Sequence, residues 1–283
     1  MNNLDIFHDI SSVTSKMVTE RYSTSFSRAS KLFKPEIRQH IYNIYAFVRL
    51  ADEIVDTFHD YDQEKLLNEF ERNYSEALYN GISLNPVLYS FCKTQKEKNI
   101  PQDLVDAFLR SMRMDLGEIK DMSDAKFSEY IYGSSEVVGL MCLKVFVNGN
   151  QDEYEKLKPY AQSLGAAFQK INFLRDINAD FNDLQRTYFP GIDFQSFSAA
   201  DKKLIEEDIA ADFKYALIGI KQLPLSSRLA VFMAYKYYIS LFEKIRKCKP
   251  ELLMKKRIRV SNARKLYLFG EMMVSKNFNL VKF

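Results

Sequence analysis

From Pro35 onward the apolar residues recur with a period that only a helix uses: Ile37, Ile41, Ile44, Val48, Ala51 and Val55 follow one another at alternating steps of four and three. Pro35, with its φ already fixed, opens this helix together with Glu36. Similar patterning predicts further helices over residues 10–31, 62–79, 86–98, 102–116, 124–147, 160–181, 200–222, 225–248 and 260–280. Asn80-Gly81, Asn85-Pro86, Ile100-Pro101, Asn148-Gly149-Asn150 and Leu223-Pro224 punctuate them. Only 9 Gly and 7 Pro interrupt 283 residues, and the alternation expected of strands is missing, so the elements must be long and the connections few. The expected fold is all-α, a single domain over residues 1–283, with 47% hydrophobic residues to fill a sizeable core. One long stretch without helical pattern, 182–198, carries Arg186, Thr187, Tyr188, Phe189, Pro190 and Gly191, and ordered loops of this length are often functional.

Charge and cysteine content exclude several classes. Forty basic and 37 acidic residues are spread along the chain for a net charge of +3, which is a solvated surface and not a nucleic-acid footprint. Cys92, Cys142 and Cys248 are odd in number and far apart, and His8, His40 and His59 have no ligand spacing, so neither a disulfide framework nor a zinc site is expected. No basic-then-apolar leader opens the chain and no run of 18 apolar residues occurs, so the expected location is the cytosol, with a peripheral contact on the inner face of the membrane as a further expectation.

Two helices carry acidic faces. Tyr45, Arg49, Asp52 and Asp56 fall within an arc of roughly 60° beside the apolar stripe, and Gln169, Asn172, Asp176 and Asp180 fall within roughly 80° on a second helix. Carboxylates at i and i+4 repel each other by a few tenths of a kcal/mol, so a repeated acidic pair calls for a cation. Mg²⁺ takes one or two carboxylates from protein and completes its octahedron with water and phosphate oxygens, so facing Asp pairs are suited to hold a diphosphate. The chain has no Gly-rich phosphate loop to do this instead. A single Asp-x-x-x-Asp is usually an ordinary solvated helix face. Two, each sharing its face with Tyr and Arg or with Gln and Asn, and the second followed by an Arg-Thr-Tyr-Phe-Pro loop, are hard to attribute to composition.

At these residues the sequence resembles the squalene/phytoene synthase family over about residues 21–267. The resemblance runs through Ser23-Thr24-Ser25-Phe26 with Ala29-Ser30, through Tyr45 to Arg49 and Asp52 to Asp56, and through Gln169 to Asp180 followed by Arg186-Thr187-Tyr188-Phe189-Pro190. Tyr130 to Gly139 is similar to a family segment of usual form Tyr-x-Tyr-x-Val-Ala-Gly-x-Val-Gly, from which Ser134, Ser135 and Glu136 depart. Tyr238 and Arg257-Ile258-Arg259-Val260 resemble the C-terminal tyrosine and basic motif.

The resemblance implies a helical bundle of the class I isoprenoid synthase type with a central cavity, in which two allylic diphosphates are condensed head to head through a cyclopropylcarbinyl diphosphate. It implies a catalytic set of Tyr45, Arg49, Asp52, Asp56, Asp176 and Asp180. Asp52, Asp56, Asn172, Asp176 and Asp180 would hold two to three Mg²⁺ ions, with Mn²⁺ as a substitute. Ser23, Ser25, Phe26, Tyr130, Gln169, Asn172, Arg175, Arg186, Tyr188, Tyr238 and Arg257 would bind substrate. The arginines are suited to diphosphate oxygens and the aromatic faces to a carbocation.

Ser30, one turn beyond Phe26, leaves room for a long tail and favours two geranylgeranyl diphosphates, hence phytoene, without NADPH. Dehydrosqualene or squalene synthesis from farnesyl diphosphate is the alternative, and a non-catalytic relative serving in assembly or lipid binding is the second. Lys255, Lys256, Arg257 and Arg259 with the aromatic stretch 231–242 are the expected membrane contact for product release.

Overall fold

The computed structural model describes residues 2–117, 122–182 and 187–277, and of residues 180–182 and 272–277 it describes the backbone alone. Among the described residues every regular element is a helix, apart from short turns. The first element, α1 (Asn3–Tyr22), begins seven residues before the predicted start. Its reason is a capping box: Asp5 N donates to Asn2 Oδ1 at 2.8 Å while Asn2 N donates to Asp5 Oδ2 at 3.0 Å. The predicted continuous helix to residue 31 breaks at Ser23, which is extended at φ −140° and accepts the Phe26 amide at 3.2 Å, thereby capping α2 (Thr24–Ser30).

Helix α3 (Pro35–Asp56) follows the predicted stripe, with Ile37, Ile41, Ile44, Phe47, Ala51 and Val55 buried. Then come α4 (Gln63–Asn80), stopped by Gly81 at φ +74°, α5 (Pro86–Glu97), capped by Asn85, and α6 (Gln102–Asp115). The predicted helix 124–147 is divided into α7 (Asp124–Ile131) and α8 (Val137–Phe146) by a π-helical turn, Tyr132–Glu136. This turn comes close to helix α9 (Gln151–Asn182) at Gly165, where an added Cβ would meet the Ser135 carbonyl oxygen at 2.8 Å and Glu136 Cα at 2.9 Å. Helix α9 starts nine residues before the predicted 160 and contains Pro159. Asn150 caps it through the Glu153 amide at 3.0 Å, and buried Tyr154 and Leu157 in its first turns help offset the ~3 kcal/mol that an internal proline costs.

Beyond the loop lie α10 (Ala199–Gln222), α11 (Leu225–Arg246), the short α12 (Pro250–Leu253) and α13 (Asn262–Asn277). Two apolar clusters result. One gathers α3, α4, α5, α6 and α8 around Phe47, which stacks on Phe91 at 3.9 Å. The other gathers α7, α9, α10 and α11 around Phe173, which stacks on Tyr188 at 3.9 Å. Leu164 and Tyr235 touch both. Between them lies a cavity.

Candidate active site

The cavity has a volume of about 380 Å³, in the range of a small-molecule site, and an almost wholly apolar wall. Helices α2, α3, α8, α9, α10 and α11 and the π turn all contribute to it. Its residues on α9 run from Leu157 to Asn172, about 22 Å at 1.5 Å per residue. The polar side chains among its lining include Tyr45, Gln169, Asn172 and Tyr238, and within two turns beyond Tyr45 on α3 stand Arg49 and Asp52, as Arg175 and Asp176 do beyond Asn172 on α9. An apolar tunnel thus opens under a charged mouth.

The mouth is tightly wired. Phe26 stacks on Tyr45 at 4.8 Å, and Tyr238 stacks on Phe168 at 3.8 Å while its hydroxyl reaches Asn172 Oδ1 at 3.3 Å. Asn172 in turn donates to Gln169 Oε1 at 3.4 Å. Burial pushes the Tyr45 phenol up from its ordinary value, although Arg49 and the Ser23 hydroxyl pull the other way, so it stays protonated at neutral pH. Tyr238 is raised by burial as well, with Arg175 opposing.

Arginines neutralise the carboxylates. Arg49 Nη1 lies 2.7 Å from Asp52 and its other terminal nitrogen pairs with Glu53, while Tyr22 sits beneath its guanidinium, 4.7 Å from the ring centroid. Arg49 Nε is buried without a partner. Across the mouth Asp176 is held from two sides. Arg175 reaches it with Nε at 3.0 and 3.1 Å and Nη2 at 2.5 Å, and Arg257, 81 residues further on, with Nε at 2.7 Å and Nη2 at 3.2 Å. Asp56 is exposed at the end of α3.

Not every expected residue meets the cavity. Ser25 is half-buried on the first turn of α2 and is not part of the lining, and Ser23 acts there as a cap and as a partner of Tyr45. Tyr130 and Tyr188 are buried in the second aromatic cluster, 5.4 Å apart between ring centroids, and the Tyr130 hydroxyl donates to buried Asp115 at 2.7 Å. Ser30 does not open the tunnel. It is fully buried against α3, donating to the Ser27 carbonyl at 2.8 Å and lying 3.2 Å from the Tyr42 hydroxyl, because the lining positions on this segment are Phe26, Ala29 and Phe33. The stretch 231–242 is likewise turned inward: Val231, Ala234 and Tyr238 line the cavity, and Met233, Leu241 and Phe242 are buried. Arg186 and the side chain of Asp180 lie outside the described residues.

Sequence reasoning passed over Glu53, although its place four residues after Arg49 on a helix is a legible signal. Phe168 and Asp115 are partners that only packing brings to Tyr238 and Tyr130.

The donor set suits a hard divalent cation. Asp52, Asp56, Asn172 and Asp176 offer oxygen ligands and lie on α3 and α9, both of which line the cavity. Among the described residues no group of three or more His, Cys, Asp or Glu is placed to hold a metal by itself, so an ion here would share its shell with substrate oxygens and water.

Comparison with known proteins identifies the family. The squalene/phytoene synthase family profile matches residues 19–264. The 15-cis-phytoene synthase of Paracoccus sp. is 27% identical over 91% of this chain and 89% of its own. The 4,4'-diapophytoene synthase of Staphylococcus haemolyticus is 25% identical over 69% of this chain and 67% of its own. Among solved structures, a dehydrosqualene synthase in complex with ligand superposes with a TM-score of 0.79 at 18% identity, covering 96% of this chain and 98% of that one. Squalene synthase HpnC from Alicyclobacillus acidocaldarius superposes with 0.74 at 19% identity, covering 86% and 95%. At these identities the structures speak for the fold, which is that of the isoprenoid synthases. With the family profile covering most of its length, the chain belongs to the squalene/phytoene synthase family of prenyl-transferring enzymes.

Proposed function

We propose that this enzyme condenses two geranylgeranyl diphosphates head to head, through a cyclopropylcarbinyl diphosphate, to phytoene and two pyrophosphates. The observation that carries the reading is the cavity: an apolar tunnel about 22 Å long on its α9 side, ending under paired carboxylates and arginines. Small side chains, among them Ala29, Ala161 and Ala216, line that tunnel. The 15-cis-phytoene synthase likeness over 91% of the chain supports the longer substrate.

Each part of the mouth has a task in that chemistry. Asp52, Asp56, Asn172, Asp176 and Asp180 would hold Mg²⁺, which when bound supplies the positive charge that makes pyrophosphate a good leaving group. Arg49, Arg175 and Arg257 are fixed cationic donors for diphosphate oxygens as the allylic C–O bond breaks. The protonated Tyr45 phenol orients the departing diphosphate. The faces of Phe26, Tyr45, Phe168 and Tyr238 offer π density to the cation left behind and, with the apolar wall, keep water from it.

Two farnesyl diphosphates giving dehydrosqualene form the second reading, favoured by the diapophytoene synthase likeness. Incubating the purified protein with each substrate and Mg²⁺, with and without NADPH, and weighing the product separates them. A C40 hydrocarbon formed without NADPH is expected. A C30 product alone gives the second reading, and no turnover of either substrate refutes both.

A further inference from the structure

Helix α1 is amphipathic the wrong way round. The centre of its inward face is hydroxylic, Ser11, Ser15 and Thr19 being all but fully buried, with Phe7, its ring tilted against Tyr89, and Val18 half-buried beside them. Their hydroxyls are satisfied on the helix's own carbonyls four residues back, at 2.8, 3.3 and 2.9 Å, so small side chains pack against α3 and α5 without needing partners there. The outward face carries Ile6, Ile10, Val13 and Met17, at steps of four, three and four, each 45–54% exposed. This stripe is about 16 Å long.

We propose that this stripe is a docking surface for a lipid bilayer, in which α1 lies along the interface with its aliphatic side chains among the acyl chains. Three observations select that occupant. Four half-exposed aliphatic side chains present a few hundred Å² at most, well short of the ~800 Å² that each partner of a stable dimer buries, but enough for a helix lying on a membrane. The charges on α1 are mixed, Asp5, Asp9 and Glu20 against Lys16 and Arg21, so the surface is built for apolar insertion and not for an acidic protein or an anionic headgroup. And α1 leads into the mouth of the cavity: its last residue, Tyr22, lies beneath Arg49, the next, Ser23, is a partner of Tyr45, and Phe26 lines the tunnel. No helix among the described residues is long and apolar enough to cross a membrane. The choice of lipid rests on reading the cavity as a prenyl-chain site. It moves the membrane contact from the basic 255–259 segment and the inward-turned α11 to the opposite end of the sequence.

The test is co-sedimentation of the full chain with sucrose-loaded phosphatidylcholine vesicles in 0.1 and 1 M salt, roughly a threefold change in Debye length. The comparison is with an Ile10→Gln/Val13→Gln variant, whose exposed positions leave the melting temperature unchanged. The wild type should pellet with vesicles about equally at both salts, and the variant should partition at least tenfold less while turning over prenyl diphosphates in detergent solution. A wild type that stays in the supernatant, a variant that binds as well, or a dimer in sedimentation equilibrium that the variant dissolves overturns the proposal. Vesicle binding without turnover would sink the functional reading and leave this one standing; turnover without vesicle binding would do the reverse.

Discussion

Replacing Asp176 by Asn keeps its shape and one carbonyl oxygen but removes the charge that faces two guanidinium groups. Five nitrogen–oxygen contacts of 2.5–3.2 Å converge on this carboxylate, three from Arg175 and two from Arg257. The Arg175 side chain is 20% exposed, so its charged hydrogen bonds count at about 1.5–3 kcal/mol. Arg257 is 50% exposed, and solvent discounts its share to about 0.2–1 kcal/mol. The sum is roughly 2–4 kcal/mol, a fall in melting temperature on the order of 3–7 °C for a chain of this size. If Asp176 also holds the metal-bound diphosphate, turnover falls by far more, about a thousandfold, or ~4 kcal/mol of barrier. Circular dichroism melts and product formation at 25 °C, where the variant is still folded, separate the two effects. Arg257→Met, which loses one side of the clamp and spares the carboxylate, is the control and should melt within about 3 °C of the wild type. A folded Asp176→Asn enzyme with a near-normal rate would refute the metal assignment, and an unfolded one would show that the carboxylate is chiefly structural.

Other positions give sharper local tests. Asp52→Ala should abolish product formation with little change in melting temperature, since Asp52 is a partly exposed partner of Arg49 and not part of the core; a normal rate would remove it from the metal set. Tyr45→Phe should leave the melt unchanged within about 2 °C and lower kcat about tenfold, the worth of one hydrogen bond of ~1.4 kcal/mol realised in the transition state; an effect on KM alone would make it a packing residue. Gly165→Ala drives a methyl into the backbone of Ser135 and Glu136, and overpacking of about 1–3 kcal/mol should appear in urea melts together with a change in tail-length preference. Glu136 has its carboxyl raised above the ordinary range by burial, against the pull of the Gln162 hydrogen bond, so the native state binds its proton more tightly than the unfolded chain does. Its contribution is therefore full below the unfolded carboxylate pKa and is lost as pH rises through the raised native value. Glu136→Gln should flatten the fall in stability over that window and be the more stable form at neutral pH; an unchanged slope would show that Glu136 is not the group responsible.

Much of the site was legible before any coordinates. Helical period places Arg49, Asp52 and Asp56 on one face, and Gln169, Asn172 and Asp176 on another, because a face depends only on spacing along one helix. The buried stripe of α3 from Ile37 to Val55 follows from the same rule. Residues further apart obey no such rule. That Arg257 closes on Asp176, that Phe168 stacks on Tyr238, and that Tyr130 settles on Asp115 depend on how α7, α9, α11 and the segment after α12 cross, and crossing is set by packing of whole surfaces.

The errors have the same origin. Ser30 is one turn from Phe26 on α2, but the cavity meets this segment on the other side of Phe26, at Ala29 and Phe33, and Ser30 turns into α3. The π turn, which displaces Ser134 and Ser135 to the cavity wall, leaves no mark on hydrophobic period beyond one irregular step. Local spacing thus determined the helices, their two acidic faces and the kind of ligand those faces suit. Which side chains line the tunnel, which arginine meets which carboxylate and which side of α1 is left uncovered were decided only when the helices packed, since those outcomes minimise exposed apolar area over the whole molecule and not along any one segment.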